Sequence, residues 1–159
     1  MKLFHDGQFE GRKVSLPVFL GRRPHEHFDR EMYGFYTTLF EALNRAAFCD
    51  GQWWLCTRTG WQDNPSFRDL VAWSWVHGDE CYLIVVNLSD RPAQARVHVP
   101  WRDAAGTSWK LADLLSGAFY ARGGDELQSK GLYVSLGPWG YHLFQCLRMN
   151  EQKVETLPD

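Results

Sequence analysis

The feature that most constrains the fold of this chain is a change of hydrophobic period near Gly51. Apolar residues before it recur every three or four positions, whereas those after it lie in short runs or alternate with polar residues. Glycine, proline, asparagine and aspartate, which favour turns, separate these later segments. We predict strands at residues 52–58, 70–77, 81–88, 93–99, 107–111, 118–122, 131–136 and 141–148. Seven or eight short strands with regular turn signals are typical of an antiparallel sandwich or barrel.

One amphipathic helix is predicted before the strands, at about residues 30–47. Asp29 is a suitable N-cap, because its carboxylate can accept a hydrogen bond from an amide of the first turn. The apolar stripe consists of Met32, Tyr36, Leu39, Leu43 and Ala46, with Tyr33 and Phe40 beside it. A stripe this wide needs a partner surface. We expect it to pack on the sandwich, or against a second copy of the chain in a homodimer.

Charge and hydropathy exclude several classes of function. Lysine and arginine number 17 against 19 aspartates and glutamates, which gives a net charge of −2. Nucleic-acid and anionic-membrane surfaces need a concentrated positive field, so we expect neither partner. No apolar run approaches the roughly 20 residues of a transmembrane helix, and the first residues show no signal-peptide pattern. This favours a cytoplasmic location.

The four cysteines, Cys49, Cys56, Cys81 and Cys146, give no sign of a metal or redox motif. None of their spacings is C-x-x-C, so neither a zinc ribbon nor a thioredoxin-like motif is indicated. A domain of this size needs no disulfide framework, and isolated cysteines usually behave as small buried hydrophobes. We therefore expect reduced thiols in the core.

Six motifs, in this order, resemble the C-terminal part of the alpha-amylase superfamily of glycoside hydrolases and transglycosylases. They are residues 4–11 (FHDGQFEG), 22–29 (RRPHEHFD), 35–39 (FYTTL), 84–89 (IVVNLS), 109–117 (WKLADLLSG) and 131–142 (GLYVSLGPWGYH). In that family a (β/α)8 barrel ends with a strand leading to a G-Q-E-like loop. A basic, proline-containing loop, the last barrel helix and an antiparallel sandwich follow. The resemblance implies a mainly β chain, a Greek-key β-sandwich preceded by one amphipathic helix and a loop-rich remnant of the barrel.

The resemblance also implies how the chain is divided and what it does. Residues 1–50 correspond to the end of the catalytic barrel, 51–148 to the sandwich, and 149–159 to a polar, frayed tail. The family's catalytic carboxylates lie on earlier strands of a barrel that takes about 250 residues. We therefore expect a fragment of a carbohydrate-metabolising enzyme that acts on α-glucans or oligosaccharides, with the barrel portion as its partner. The fragment itself is expected to be a structural cap with no catalytic residue, metal or cofactor.

A loop near the N-terminus holds the first candidates for sugar binding. Gln8 and Glu10 would lie at the C-terminal end of the last barrel strand, where barrel enzymes build active sites. In the family the glutamate directly follows the glutamine, whereas here Phe9 separates them. The alternative is a glycine-rich loop that simply carries polar residues. The nearby residues 25–27 (HEH) lack the spacing of a helical metal motif, so we expect a solvated loop there.

The eight tryptophans suggest an alternative function. Aromatic rings stack on the C–H faces of sugars, so exposed tryptophans would suit a free-standing carbohydrate-binding module. Trp61 and Trp101 are the pair we expect at the surface. Those expected in the sandwich core, or at its junction with the barrel, are Trp73, Trp75, Trp109 and Trp139.

Overall fold

In the computed structural model the chain divides into two units, Met1–Asn44 and Arg45–Asp159. The structure describes residues 4–14, 17, 19, 21–22, 24–101 and 104–149. The tail predicted for residues 149–159 therefore lies outside the described residues, apart from Met149. Across these described ranges, no helix has both the length and the apolar character that a membrane span requires.

The first unit contains the predicted amphipathic helix, α1, over Arg30–Leu43. It begins where the sequence predicts, since the carboxylate of Asp29 accepts a hydrogen bond of 2.9 Å from the backbone amide of Met32. It ends before the predicted residue 47, because the backbone of Asn44 leaves the helical region with a ψ of 55°. Asparagine favours such backbone, since its amide competes for hydrogen bonds with the helix. A short helix, α2 (Ala47–Asp50), opens the second unit.

The second unit is an antiparallel β-sandwich, as the strand spacing predicts. Its strands are β1 (Gln52–Leu55), β2 (Thr57–Thr59), β3 (Leu70–His77), β4 (Glu80–Asn87), β5 (Ala93–His98), β6 (Ser108–Asp113), β7 (Phe119–Gly123), β8 (Leu132–Leu136) and β9 (Tyr141–Met149). In the described part of the chain, a six-stranded sheet has the order β1-β3-β4-β9-β6-β7 and a three-stranded sheet has the order β2-β5-β8. Neighbouring strands such as β4 and β9 are distant in sequence, and the chain crosses between sheets to join them, as in Greek-key sandwiches.

The segment predicted as one strand, residues 52–58, is two strands in different sheets, so that prediction is wrong. Leu55 ends β1 in the larger sheet, and Thr57 begins β2 in the smaller sheet. Cys56 between them is buried, and its amide donates a hydrogen bond of 2.9 Å to the carbonyl of Ala72 on β3. Neither glycine nor proline marks the crossing, and so the local pattern looks like a single strand.

The inner faces of the two sheets share one hydrophobic core. Strand β4 lies between β3 and β9, and every residue from Cys81 to Val85 along it is buried. An almost wholly apolar run such as residues 81–88 is typical of a strand covered on both faces, and the structure shows this burial. Large side chains with almost no exposure include Leu70, Tyr82, Leu83, Val85, Val97, Trp109, Leu111 and Leu127.

A short helix, α3 (Gly124–Ser129), follows β7 where the sequence predicts only a turn. Its first residue, Gly124, lies so close to the carbonyl of Ala104 that a Cβ atom would collide with it. Leu127 anchors the helix in the core. The glycine is therefore needed for close packing. Because glycine is equally common in turns, its presence in the sequence does not distinguish this helix from a turn.

The two sheets differ in width, and this leaves part of the larger sheet's inner face uncovered. On β6, Leu111 is buried in the core. Its partner across the β6–β7 ladder is Tyr120, which is exposed although it lies on the same face of the sheet. Arg122, two residues along β7, is half-buried. The smaller sheet thus ends before it reaches β7, and a concave opening remains between the edges of the two sheets.

Candidate functional site

Gln8 is fixed against the helix of the first unit. Its Nε2 donates a hydrogen bond of 2.7 Å to the hydroxyl of Tyr36 on α1. The next residue, Phe9, packs its ring 5.0 Å from Tyr36 and 5.2 Å from Phe40, measured between ring centroids. Aromatic pairs at such distances stabilise a contact beyond the area that they bury. The loop is therefore tied to α1 through one hydrogen bond and a cluster of rings.

Glu10 lies in the same turn as Gln8 and is half-buried. Its backbone carbonyl accepts a hydrogen bond of 3.1 Å from the amide of Asp29, the N-cap of α1. The following Gly11 has a φ of +65° and contacts the side chain of Asp29. The structure thus brings Gln8 and Glu10 together beside the start of α1, while their contact with a sugar stays a prediction.

The charged loop at residues 25–27 is organised by backbone contacts. Glu26 Oε1 accepts hydrogen bonds from the amides of Lys13, at 2.8 Å, and Val14, at 3.0 Å. In the described part of the chain, no group of three or more His, Cys, Asp and Glu side chains is arranged to hold a metal ion. Through these hydrogen bonds the Glu26 carboxylate joins residues 25–27 to residues 13–14.

Trp101 is buried, so the expectation that it is exposed is wrong. Only 7% of its surface is accessible, and its Nε1 donates a hydrogen bond of 2.9 Å to Ser74 Oγ inside the sandwich. Its ring stacks on Trp109, with centroids 5.0 Å apart. A buried hydroxyl needs partners, and the indole N–H supplies one while its ring fills the core. Trp101 is therefore not available to stack on a sugar.

Trp61 is exposed to 41% of its surface, as expected. Its ring lies edge-on to the ring of Tyr133 on β8, with centroids 6.0 Å apart. The guanidinium of Arg96 on β5 lies 5.5 Å from the same tyrosine ring. Trp61 therefore belongs to a small aromatic surface on the three-stranded sheet.

The outer face of the six-stranded sheet carries many apolar side chains, with Lys110 and Gln145 among them, and we call this set of apolar residues the junction face. It comprises Trp53, Leu55, Trp73, Trp75, Ile84, Phe119, Tyr141 and Leu147, which the register places on one side of the sheet. Phe48 of α2 covers part of it, since its ring centroid lies 6.2 Å from that of Trp75. Leu55 and Phe119 remain 60% and 66% exposed. Trp73 and Trp75 are thus half-buried on this outer face, while Trp109 fills the core as expected.

Trp139 projects into solvent, so it does not lie in the sandwich core, while its place at a junction with a barrel stays a prediction. It is 62% exposed, and its φ of 54° lies in the left-handed region that glycine normally occupies. Its amide donates a hydrogen bond of 2.9 Å to the carbonyl of Ser89. The buried Asn87 fixes the same turn, because its Nδ2 donates to the carbonyl of Gly137 at 2.8 Å. The turn geometry therefore directs this indole away from the sandwich.

A pocket of about 200 Å³ occupies the opening between the edges of the two sheets. Leu111 and Phe144 form its apolar base, and Tyr120, Arg122 and His142 line it with polar atoms. Tyr120 lies edge-on to Phe144, with centroids 5.8 Å apart, and His142 stacks on Phe144 at 4.6 Å. The sequence interpretation takes His142 for an ordinary strand residue and misses this pocket, because its members come from four strands.

The carboxylate of Asp113 hydrogen-bonds to the imidazole of His142. Its Oδ2 lies 2.9 Å from His142 Nδ1 and accepts a hydrogen bond of 2.7 Å from Ser116 Oγ, while Oδ1 accepts from the amides of Leu115 and Leu143. Burial raises the pKa of Asp113, but these hydrogen bonds outweigh burial and hold its pKa below the ordinary value. An ionised carboxylate only accepts, so Nδ1 carries the proton and Nε2 remains for the pocket.

No protein-family model and no curated protein sequence matches this chain. Its structure is similar to that of a noncanonic maltogenic alpha-amylase, AmyB, from Thermotoga neapolitana, with a TM-score of 0.68 and 14% identity over 92% of this chain and 33% of that chain. An Anoxybacillus alpha-amylase gives a TM-score of 0.57 and 14% identity over 77% of this chain and 24% of that chain. The alpha-amylase of Geobacillus thermoleovorans, complexed with acarbose, gives a TM-score of 0.56 and 9% identity over 77% of this chain and 24% of that chain.

The chain thus spans about a third, or less, of the length of these solved enzymes. At such low identity the similarity concerns the fold alone. The chain has the fold of a part of alpha-amylase structures, which confirms, at the level of fold, the resemblance carried by its motifs.

Proposed function

We propose that this chain is the C-terminal part of a glycoside hydrolase or transglycosylase of the alpha-amylase superfamily that acts on α-linked glucans. The shared fold with three alpha-amylases supports the family. In this proposal the remaining portion of the enzyme supplies the catalytic carboxylates. The sandwich stabilises that portion by covering one of its surfaces.

The observation that carries the proposal is the junction face. A sandwich needs only the inner faces of its sheets for a core, and the outer faces are usually polar. Here the outer face of the larger sheet is rich in aromatic and branched residues, and Leu55 and Phe119 are mostly exposed. Burying one such side chain stabilises a protein by about 1.5–3 kcal/mol. A surface of this kind suits a permanent partner, and the catalytic portion of the same polypeptide is the occupant we propose.

The buried carboxylate supports a structural role for the sandwich. A retaining glycosidase needs two carboxyl groups about 5–5.5 Å apart on either side of the scissile bond. Asp113 is the acid that is buried in the described part of the chain, and its oxygens already accept hydrogen bonds from Ser116, His142 and two backbone amides. A carboxylate used in this way orders the backbone around it.

The DNA immediately upstream of the codon for Met1 tests the proposal. We expect an in-frame coding sequence for a (β/α)8 barrel with three acidic active-site positions. A genuine translation start with no such barrel would overturn it. The purified chain should also release no sugar from soluble starch above a protein-free blank. Reproducible turnover that is abolished by Glu10→Gln would instead assign the chemistry to this chain.

A carbohydrate-binding module is the second candidate, and the exposure of Trp61 beside Tyr133 is the observation that favours it. The burial of Trp101 removes the other half of the expected platform. Titration with a malto-oligosaccharide, followed by tryptophan fluorescence, distinguishes the two candidates. Saturable quenching that is lost in Trp61→Ala supports the binding module, and quenching that is absent or is unchanged by Trp61→Ala supports the structural cap.

A further inference from the structure

The pocket between the sheet edges has the size and shape of a single-ring site. Its volume is about 200 Å³, below the roughly 300–1,000 Å³ of pockets that hold drug-sized ligands. The base is apolar, formed by Leu111, Val134 and Phe144 from three strands of both sheets. It exists because the smaller sheet stops at β8, whereas the larger sheet continues to β7. The pocket is therefore a consequence of the fold rather than of one mobile side chain.

Polar groups converge on one side of this apolar base. Since the ionised Asp113 accepts the Nδ1 proton of His142, Nε2 is the ring nitrogen left to form a hydrogen bond with a ligand hydroxyl. Arg122 contributes a guanidinium, which lies 5.7 Å from the ring of Tyr120. A ligand that fits must have one apolar face and several hydroxyl groups at its rim.

The charges around the pocket favour a neutral ligand. The positive charge of Arg122 is matched by the negative charge of Asp113, which lies directly behind His142. A small anion bound at His142 Nε2 would approach the Asp113 carboxylate, and like charges in a partly buried site repel. A purely apolar ring would leave the imidazole Nε2 without a partner, whereas the guanidinium of Arg122 already donates to the carbonyl of Ala121 at 2.7 Å. A pyranose ring meets both requirements.

A larger cavity of about 820 Å³ is lined by Trp54, Trp101, Trp109 and Arg148, but its aromatic groups already have partners. The indole N–H groups of Trp101 and Trp109 donate to Ser74 and Ala104, the two rings stack on each other, and Arg148 lies 5.2 Å from the Trp109 ring. Its rings and donors are thus committed within the sandwich, whereas His142, bound to Asp113 through Nδ1, lines the smaller pocket.

From these contacts we infer that the pocket between β7, β8 and β9 is a non-covalent binding site for one glucosyl unit of an α-glucan. Tyr120 forms its wall, and His142, oriented by Asp113, accepts a hydrogen bond from a sugar hydroxyl. The choice of a glucan rests on the proposed function, while the preference for a neutral hydroxylated ring rests on the pocket itself. The site would hold a polysaccharide chain on the sandwich.

Titration of the chain with maltotriose, measured by calorimetry and by the NMR signals of the His142 ring, tests this site. We expect a Kd on the order of 1 mM, as for a weak single-ring contact, and a shift of the His142 Nε2 signal on binding. Tyr120→Ala should weaken binding by about fivefold to tenfold, the range of one aromatic contact. Phe119→Ala is the matched control, because it removes the neighbouring ring from the opposite face of β7. It should leave the affinity unchanged.

A fold check accompanies the His142 variant. His142→Gln keeps a polar side chain beside Asp113, and its melting curve shows whether the sandwich is intact. Weaker binding by Tyr120→Ala, together with unchanged affinity of Phe119→Ala, supports the site. This comparison does not depend on whether His142→Gln is stably folded. Absence of maltotriose binding overturns the site, and so does binding that depends on Trp61 but not on Tyr120. Binding of inorganic phosphate in place of maltotriose likewise overturns it. None of these results bears on the upstream barrel, so the two proposals fail separately.

Discussion

The Nδ1 atom of His142 lies 2.9 Å from the Oδ2 atom of Asp113, across a sequence separation of 29 residues. Asp113 ends β6 and His142 belongs to β9, so the contact joins the last residue of one strand to the second residue of its neighbour. The same carboxylate accepts hydrogen bonds from two backbone amides, one in the following turn and one on β9. It therefore fixes the end of the six-stranded sheet and, at the same time, the orientation of the imidazole in the pocket.

Replacing Asp113 with asparagine should destabilise the sandwich. The amide nitrogen would face groups that are themselves donors, and each buried donor without a partner costs about 1–3 kcal/mol. Urea denaturation at neutral pH should show a loss of that size. Asp90→Asn is the control, because the Asp90 side chain is 79% exposed. An unchanged midpoint for Asp113→Asn would contradict the role of the carboxylate.

The stability that Asp113 contributes should depend on pH in one direction. Its pKa in the folded chain lies below its ordinary value, so its stabilising effect is fully present above the unfolded pKa of about 3.9. The effect is lost as the pH falls through the lower folded pKa. Between about pH 4 and pH 2, the wild-type chain should therefore lose stability that Asp113→Asn has already lost. Parallel curves for the two proteins over this range would refute the assignment.

Three of the four thiols should be unreactive in the folded chain. Cys56, Cys81 and Cys146 are buried, and Cys49 is exposed. Burial raises the pKa of Cys56 to about 11, against the opposing effect of Arg58, and it also raises the pKa of Cys81 and Cys146. Since the thiolate is the reacting species, Ellman's reagent at about pH 8 should label Cys49 alone. Unfolding in urea should expose the other three, and rapid labelling of all four before unfolding would be inconsistent with this core.

A charge in the middle of β4 should unfold the chain. Leu83 has no exposed surface and lies in the core between the sheets. Leu83→Asp would leave a carboxylate without a partner, which costs about 3–5 kcal/mol. Leu88, just beyond the same strand, is 58% exposed and supplies the control substitution Leu88→Asp. Thermal melts should show a large loss for the first variant and little change for the second.

The positive φ of Trp139 should be measurable as strain. Trp139→Gly and Trp139→Ala both remove the exposed indole, but only alanine keeps a Cβ atom in the left-handed region. We expect the glycine variant to be more stable than the alanine variant by about 1–2 kcal/mol. Chemical denaturation of the pair measures the difference directly, and an alanine variant of equal or greater stability would contradict the observed turn geometry.

The junction face should make the isolated chain associate. Leu55→Asp and Phe119→Asp each place a charge on it, and either should lower self-association and the binding of a hydrophobic dye. Gln128→Asp on α3 adds the same charge at an exposed position away from that face. Sedimentation velocity separates the outcomes. A wild-type chain that is monomeric at all concentrations and binds no dye would show that the face tolerates water.

The elements predicted from the sequence are those that local chemistry determines. Asp29 caps α1 through a bond to an amide three residues away, and Gly78 with Asp79 forms the turn between β3 and β4 because glycine accepts a φ of +58°. The run from Cys81 to Val85 indicates burial on both faces because its five residues are all apolar. Each of these features depends on neighbours within a few residues.

The features that the sequence does not predict depend on distant partners. Trp101 follows a proline in a segment that looks like a loop, and its burial depends on the hydroxyl of Ser74, 27 residues earlier. The pocket requires the widths of two sheets, which no strand pattern specifies. The pairing of Asp113 with His142 likewise requires the knowledge that β6 and β9 are neighbours. The helix α1 and the candidates Gln8 and Glu10 lie in one unit, and their role in sugar binding stays a prediction because it depends on surroundings that a local pattern does not specify.

The crossing of the chain at Cys56 has a consequence for how this sequence can vary. One short segment supplies an edge strand to each sheet. The register of β1 on β3 is therefore linked to the register of β2 on β5. Because side chains alternate between faces, a one-residue insertion there would turn one of the two strands inside out. Insertions at residues 78–79, the exposed turn between β3 and β4, would shift no strand in this way. Length variation among homologues should therefore be absent around Cys56 and tolerated in that turn.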